Sequence, residues 1–138
     1  MSPTALTGGC YCGAIRYEAA GDPLTRVECQ CRECQHIAGG ASNLVMGMPK
    51  DGFTYTKGTP KQFARNDLDT PRIRDFCPTC GTHLLTHSPP RPHMVMVKVG
   101  TLDDPSIFNS PDVVIYTKDA HNWHHVPDNV PSFTDMPS

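Results

Sequence analysis

Short segments in which apolar and polar residues alternate, separated by turn residues, run along most of this 138-residue chain. Alternation with a period of two is typical of a β-strand that has one buried face. The strongest such segment is 94–99, and the pattern also predicts that 43–48 and 53–56 are consecutive antiparallel strands joined by a turn at 50–52. The remaining predicted strands are 14–19, 62–65, 73–76 and 83–87.

Prolines and glycines punctuate the chain so often that long helices have little room. There are 14 prolines and 11 glycines, and a proline inside a helix removes a backbone donor and clashes with the preceding turn. One short helix is predicted within 31–40, ended by Gly39 and Gly40. Strands and turns should therefore dominate the fold.

The alternation also predicts part of the core. Leu44, Met46 and Met48 recur at a spacing of two. Met94 and Met96 do the same, and we interpret all five side chains as lying on one face of a sheet, in the core.

The C-terminal part of the chain looks different. We expect Trp123 to be a core or sheet-covering anchor, with the neighbouring His121, His124 and His125 at the surface. From about residue 127 the chain is polar and rich in proline, which predicts a loosely packed tail. The length fits one ordinary domain, so we interpret 1–138 as a single unit.

Charge and hydropathy argue against two classes of partner. Twelve Lys and Arg stand against 14 Asp and Glu, giving a net charge of −2 without a basic stripe, so we expect no nucleic acid partner. No apolar run approaches the ~20 residues of a membrane-spanning helix, so we expect no membrane partner. Residues 1–9 lack the basic and apolar regions of a secretory signal, which predicts a cytoplasmic protein.

The seven cysteines are the main chemical feature. An odd number in a chain with no export signal argues against a disulfide framework and favours metal ligation. They occur in three clusters with the close spacing of metal ligands, at 10–12, 29–34 and 77–80. In the last cluster, Pro78 and Gly81 are the turn residues expected around a C-x-x-C pair.

The count suggests how the clusters divide. A structural zinc needs four ligands, commonly two from each of two segments, and seven cysteines make one such set plus a triplet. Spacing does not decide which clusters pair, but Cys29, Cys31 and Cys34 already form a set of three within six residues. The other set is then Cys10, Cys12, Cys77 and Cys80.

Three protein ligands with one free position are the arrangement that holds catalytic zinc. Buried free thiols, or a redox or regulatory cluster at the triplet, would have a similar sequence.

Several other side chains are candidates for chemistry. His36 is a candidate fourth ligand or acid-base group, and His83 and His87 lie four apart on one strand face, although a third metal site there is disfavoured. Cations that could receive the carboxylates of a substrate are Arg16, Arg72, Arg74 and Lys98.

Three motifs together resemble the glutathione-dependent formaldehyde-activating enzyme family. They are Gly-Cys-Tyr-Cys-Gly-Ala-Ile-Arg-Tyr at 9–17, Cys-Gln-Cys-Arg-Glu-Cys at 29–34 and Phe-Cys-Pro-Thr-Cys-Gly-Thr at 76–82. The resemblance continues through 97–105 and into the tail at 128–133. It covers essentially the whole chain.

The resemblance implies a mainly β fold of several small coiled antiparallel sheets around a structural zinc, with at most short helices. It implies two Zn²⁺ sites, the second near where glutathione binds. The structural ligands would be Cys10, Cys12, Cys77 and Cys80. The second, open site would be held by Cys29, Cys31 and Cys34. The reaction attributed to the family adds glutathione to formaldehyde and gives S-hydroxymethylglutathione.

Three hypotheses of function follow. The leading one is a zinc-dependent carbon-sulfur lyase-like enzyme that acts on glutathione, or another thiol, and a small electrophile such as formaldehyde. The second is a non-catalytic zinc- or thiol-binding module. The third is a zinc-scaffolded interaction domain, whose nucleic-acid version the net charge disfavours.

Overall fold

The computed structural model describes residues 5–137, in which strands predominate and one short α-helix occurs. The mainly β fold with at most short helices is therefore confirmed. Four short 3₁₀ turns lie at Lys50–Gly52, Val99–Thr101, Pro105–Phe108 and Thr117–Asp119. The strands and helix are β1 Leu6–Gly9, β2 Arg16–Ala19, β3 Thr25–Cys29, α1 Arg32–Ala38, β4 Asn43–Pro49, β5 Phe53–Lys57, β6 Lys61–Phe63, β7 Ile73–Phe76, β8 His83–His87, β9 Met94–Lys98 and β10 Val113–Ile115.

The strands form two sheets. The smaller has the order β1-β2-β5, and the larger has the order β10-β3-β4-β9-β8-β7-β6. Neighbouring strands are antiparallel except for β3 and β10, which are parallel. The helix follows β3 directly and packs beside β4.

The expected consecutive pairing of 43–48 with 53–56 is wrong. Strand β4 pairs with β3 and β9 in the larger sheet, whereas β5 pairs with β2 in the smaller one. The 3₁₀ turn Lys50–Gly52 redirects the chain between them. Gly52 is then held to the other sheet, because its carbonyl oxygen accepts a hydrogen bond from the backbone N–H of Ala20 over 2.8 Å.

The core contains side chains of both sheets. Met46 and Met48 are fully buried in it, opposite Val97 and Val95 of β9. Since directly paired residues share a face of a sheet, Met96, which pairs with Gly47, lies on the opposite face. The prediction of one shared core face is therefore wrong for Met94 and Met96, which line a pocket. Leu44 lies on the same face as Met46, but it is exposed and not in the core.

The segment after β10 returns alongside it. Val114 donates its backbone N–H to the carbonyl oxygen of Pro131 over 3.0 Å and accepts from Phe133 over 2.9 Å. The expectation that Trp123 is a core or sheet-covering anchor is wrong, because 61% of its surface is exposed. Its indole N–H instead donates to the carbonyl oxygen of Gly40, just beyond α1, over 2.9 Å.

Among residues 5–137, no helix is both long and apolar enough to span a bilayer.

Candidate metal centres and the adjoining pocket

The four-cysteine set joins two loops that are distant in sequence. Cys10 and Cys12 lie between β1 and β2, and Cys77 and Cys80 lie between β7 and β8. All four sulfur atoms lie within 4.8 Å of one another. The Sγ atom of Cys12 is 3.6 Å from that of Cys10 and 3.8 Å from that of Cys77. A tetrahedral zinc bound at about 2.3 Å from each sulfur would require sulfur-sulfur distances of about 3.8 Å. The set therefore fits a zinc ion.

Hydrogen-bond donors contact three of these four sulfurs, those of Cys10, Cys77 and Cys80. The backbone N–H of Ile15 donates to the Sγ of Cys10 over 3.2 Å, and those of Thr79 and Cys80 each donate to the Sγ of Cys77 over 3.4 Å. The hydroxyl of Thr82 lies 3.2 Å from the Sγ of Cys80, and this hydrogen bond, together with backbone donors, lowers the pKa of Cys80 to about 5. Ionised sulfur is the form that binds metal.

The three-cysteine set lies where β3 passes into α1. Cys29 ends β3, Cys31 caps the helix and Cys34 lies in its first turn, with the sulfur atoms all within 4.8 Å of one another. The Sγ of Cys31 accepts a hydrogen bond from the backbone N–H of Cys34 over 3.2 Å. Hydrogen bonds from Cys29 and Cys34 lower the pKa of Cys31 to about 2, and the same contact with Cys31 raises the pKa of Cys29. The three thiols thus interact as one set, in which Cys31 accepts hydrogen bonds from the other two.

Two polar side chains lie behind this set in the larger sheet. The amide of Asn43 donates to the Sγ of Cys34 over 3.5 Å, and its Oδ1 atom accepts from the ammonium of Lys98 over 2.7 Å. Burial lowers the pKa of Lys98 to about 8, while the negative charge of the nearby thiolates, first that of Cys34, acts in the opposite direction.

A pocket of about 690 Å³ opens beside the three-cysteine set, and all three of these cysteines line it. Its floor is the apolar face of the larger sheet that carries Met94 and Met96, together with Val27, Val45, Val113 and Ile115. Four arginines also line the pocket. One of them, Arg74, is buried and paired with Glu33 of α1, with 2.6 Å between Nη2 and Oε1. The other three are Arg32, Arg72 and Arg91.

The remaining cations predicted to receive carboxylates lie elsewhere. Lys98 is buried and is not among the residues that line the pocket, and its ammonium donates to Asn43. Arg16 forms an ion pair with Asp103 and does not line the pocket.

None of the histidines considered as candidate ligands, His36, His83 and His87, joins either cysteine set. His36 is exposed, and its Nδ1 lies 2.8 Å from the carbonyl oxygen of Arg32 in its own helix. His87 pairs with Asp75 over 3.1 Å, and His83 stacks against Phe76. In the described part of the chain, these histidines belong to no cluster of metal-ligating side chains.

Asn43 was missed by sequence reasoning, and the sequence contains little to identify it. It is nine residues beyond Cys34, on a strand whose pairing places it opposite Cys29. The register of β3 with β4, together with the position of α1 directly after β3, brings its amide to the sulfur of Cys34.

Comparison with known proteins identifies a family and a fold. The profile of a family described as "Glutathione-dependent formaldehyde-activating enzyme" matches residues 5–119. A crystal structure of a Rhodobacter sphaeroides protein, a structural-genomics target, superposes with a TM-score of 0.58 and 19% sequence identity, covering 70% of this chain and 87% of that one. At that identity the structural similarity concerns the fold alone.

Proposed function

This chain belongs to the glutathione-dependent formaldehyde-activating enzyme family, and from that premise we propose that it is a zinc-dependent carbon-sulfur lyase-like enzyme. Its substrates are glutathione and formaldehyde, and its product is S-hydroxymethylglutathione. Cys10, Cys12, Cys77 and Cys80 hold a structural zinc, and Cys29, Cys31 and Cys34 hold the second zinc, at which substrate binds. The seven free thiols favour the reducing environment of the cytoplasm.

The observation that supports this proposal best is the position of the three-cysteine set against the pocket. Within residues 5–137, no fourth His, Cys, Asp or Glu completes that cluster, and its three side chains line the pocket wall. When bound there, zinc supplies a Lewis acid that stabilises a thiol in its ionised, nucleophilic form at neutral pH. The open side of the set is therefore where the thiol of glutathione would enter.

The pocket also has charges suited to the rest of the substrate. Arg32, Arg72 and Arg91 line it, and none of them forms an ion pair with a carboxylate in the described structure. Guanidinium groups bind carboxylates in bidentate geometry. Glutathione carries two carboxylates, which these arginines can hold while the thiol faces the cysteines.

The reaction itself requires one bond to form. The sulfur of the ionised thiol donates an electron pair to the carbonyl carbon of formaldehyde, and the carbon-sulfur bond forms. The electron pair of the carbonyl π bond moves to oxygen, which takes up a proton equivalent to the one the thiol released. The arginines and the cysteine set contribute by orientation, since they hold the sulfur and the carboxylates in one pose.

The test is the rate of S-hydroxymethylglutathione formation by the zinc-loaded protein, measured against the spontaneous reaction in the same buffer. We expect a rate above the spontaneous one that depends on protein concentration. Cys31→Ser, which removes a ligand of the second zinc only, should return the rate to the spontaneous value. A wild-type protein that carries two zinc ions but adds nothing to the spontaneous rate would contradict the proposal. Tight glutathione binding without turnover would favour the non-catalytic binding module.

A further inference from the structure

We propose that Asn43 and Lys98 act as positioning residues for the second metal centre. Asn43 orients and stabilises the sulfur of Cys34, and Lys98 fixes the amide of Asn43 and supplies the positive charge that balances the cysteine set. The inference rests on the proposed function in one respect, namely that Cys29, Cys31 and Cys34 hold a metal ion.

The contacts of Asn43 determine the orientation of its amide. Its NH₂ group faces the Sγ of Cys34 at 3.5 Å, and its Oδ1 faces the ammonium of Lys98 at 2.7 Å. A flipped amide would place oxygen against a thiolate and NH₂ against an ammonium, and both contacts would be repulsive. Lys98 therefore selects the orientation in which Asn43 donates to sulfur.

The environment of Lys98 indicates which charge it balances. Its side chain is buried, and within residues 5–137 its ammonium forms no ion pair with a carboxylate. A buried charge is costly unless an opposite charge lies near it. Its hydrogen bond to Asn43 leads on to the Sγ of Cys34, whose thiolate in a metal-loaded set would supply the opposite charge.

The net charge of a zinc-loaded centre explains why a positively charged Lys98 nearby would stabilise it. Three thiolates and one divalent cation carry a net negative charge, and a fourth thiolate from a substrate would add another. The buried ammonium of Lys98, separated from the cysteine set by the amide of Asn43, offsets this added negative charge. It does so without taking up a ligand position on the metal. Donors to ligating groups tune metal affinity in this way, and their loss typically weakens binding by roughly 10–100-fold.

The decisive variant removes both partners together. Asn43→Leu combined with Lys98→Met replaces the pair by apolar side chains of similar size, which leaves neither partner buried without the other, so we expect the protein to fold. The measurement is zinc affinity at each site of the full chain, obtained by competition with a chromophoric chelator in the absence of glutathione and formaldehyde. The four-cysteine site serves as the reference within each molecule. Asn66→Leu and Lys57→Met, the same substitutions at exposed positions, are the matched controls.

We expect the double variant to bind zinc at the second site roughly 10–100-fold more weakly than the wild type, with unchanged affinity at the four-cysteine site. Lys98→Met alone should also lower the zinc affinity of the second site. If the double variant does not fold, this single variant provides the test. In the cobalt-loaded protein, the sulfur-to-cobalt charge-transfer band should shift, which a purely structural role would not produce. Second-site affinity within twofold of wild type in a folded variant would overturn the inference. Failure of the wild type to bind metal there would instead count against the proposed function.

Discussion

Individual cysteines of the two sets have different surroundings. Cys77 has no solvent-exposed surface and belongs to the same core cluster as Leu84 and Leu85. Cys31 is half-buried and lines the pocket. Loss of one sulfur should therefore have different consequences in the two sets.

We predict that Cys77→Ser prevents stable folding, whereas Cys31→Ser gives a folded protein with one zinc ion fewer. Structural zinc contributes roughly 10–16 kcal/mol in small domains, which is comparable to the whole stability of a domain. Circular dichroism and metal content per chain test both variants. Equal loss of folding in the two would refute the division into a structural and an open site.

Arg72 is one of the three pocket arginines proposed to bind a carboxylate of glutathione. We predict that Arg72→Leu raises the KM for glutathione about tenfold, since loss of one charge-assisted hydrogen bond is worth ~1.5 kcal/mol. Arg65→Leu is the control, because Arg65 is exposed, paired with Asp67 and absent from the pocket lining. A KM that changes equally in both variants would argue against carboxylate binding by Arg72.

The three-cysteine set could be predicted from the sequence because its ligand spacing is local, whereas the grouping of Cys10 and Cys12 with Cys77 and Cys80 followed from the cysteine count and not from spacing. Cys29, Cys31 and Cys34 lie on one short stretch, and their sulfur atoms do meet. The surroundings of these sulfurs could not be predicted, since Asn43 and Lys98 come from strands whose register is set by long-range pairing.

At the scale of elements, helix α1 positions two of the three cysteines of the second set. It begins at a cysteine cap and ends at Gly39, whose φ of +74° lies in the left-handed region. Residues that carry a side chain rarely adopt that backbone conformation, because their Cβ atom would come too close to the following carbonyl oxygen. The glycine pair that the sequence analysis places at the end of the helix is therefore required by backbone geometry.

We predict that Gly39→Ala lowers the free energy of unfolding by about 1 kcal/mol through this strain. Gly100→Ala is the matched control, because Gly100 is exposed and a Cβ atom there, as at Gly39, would contact nothing within 4 Å. Urea unfolding of the zinc-loaded proteins measures both. A loss at Gly100 as large as that at Gly39 would show that the conformation of Gly39 is not the cause.

Strand prediction succeeded where alternation was regular and failed where it was short or interrupted. β7 and β8 occupy the residues predicted, and β9 ends one residue early. β10 has only three residues, and β1 contains two glycines, so neither has a clear period of two. The partner of β5 could not be predicted, because it depends on contact with β2, which lies far away in sequence.

At the scale of the whole molecule, the four-cysteine set connects the two sheets. Cys10 and Cys12 follow β1 of the smaller sheet, and Cys77 and Cys80 follow β7 of the larger one. Cys12 and Cys77 are 65 residues apart, so a metal bound here closes a long loop. Constraining a long loop removes conformational entropy from the unfolded chain.

We therefore predict that a strong chelator removes the two metals in separate steps. The zinc at the pocket should leave first with the fold retained, and the loss of the second should coincide with unfolding. Chelator absorbance and circular dichroism, recorded on the same sample, report the two events. Unfolding that accompanies release of the first metal would contradict the prediction.

The proposed chemistry depends on the second metal centre being open to a thiol. The most direct measurement is anomalous scattering at the zinc edge from a crystal of the protein soaked with glutathione. We predict two zinc peaks, one among Cys10, Cys12, Cys77 and Cys80 and one against Cys29, Cys31 and Cys34, with the glutathione sulfur as the fourth ligand of the latter. A single peak at the four-cysteine set, or a second zinc whose fourth ligand is a protein side chain that glutathione does not displace, would contradict the account.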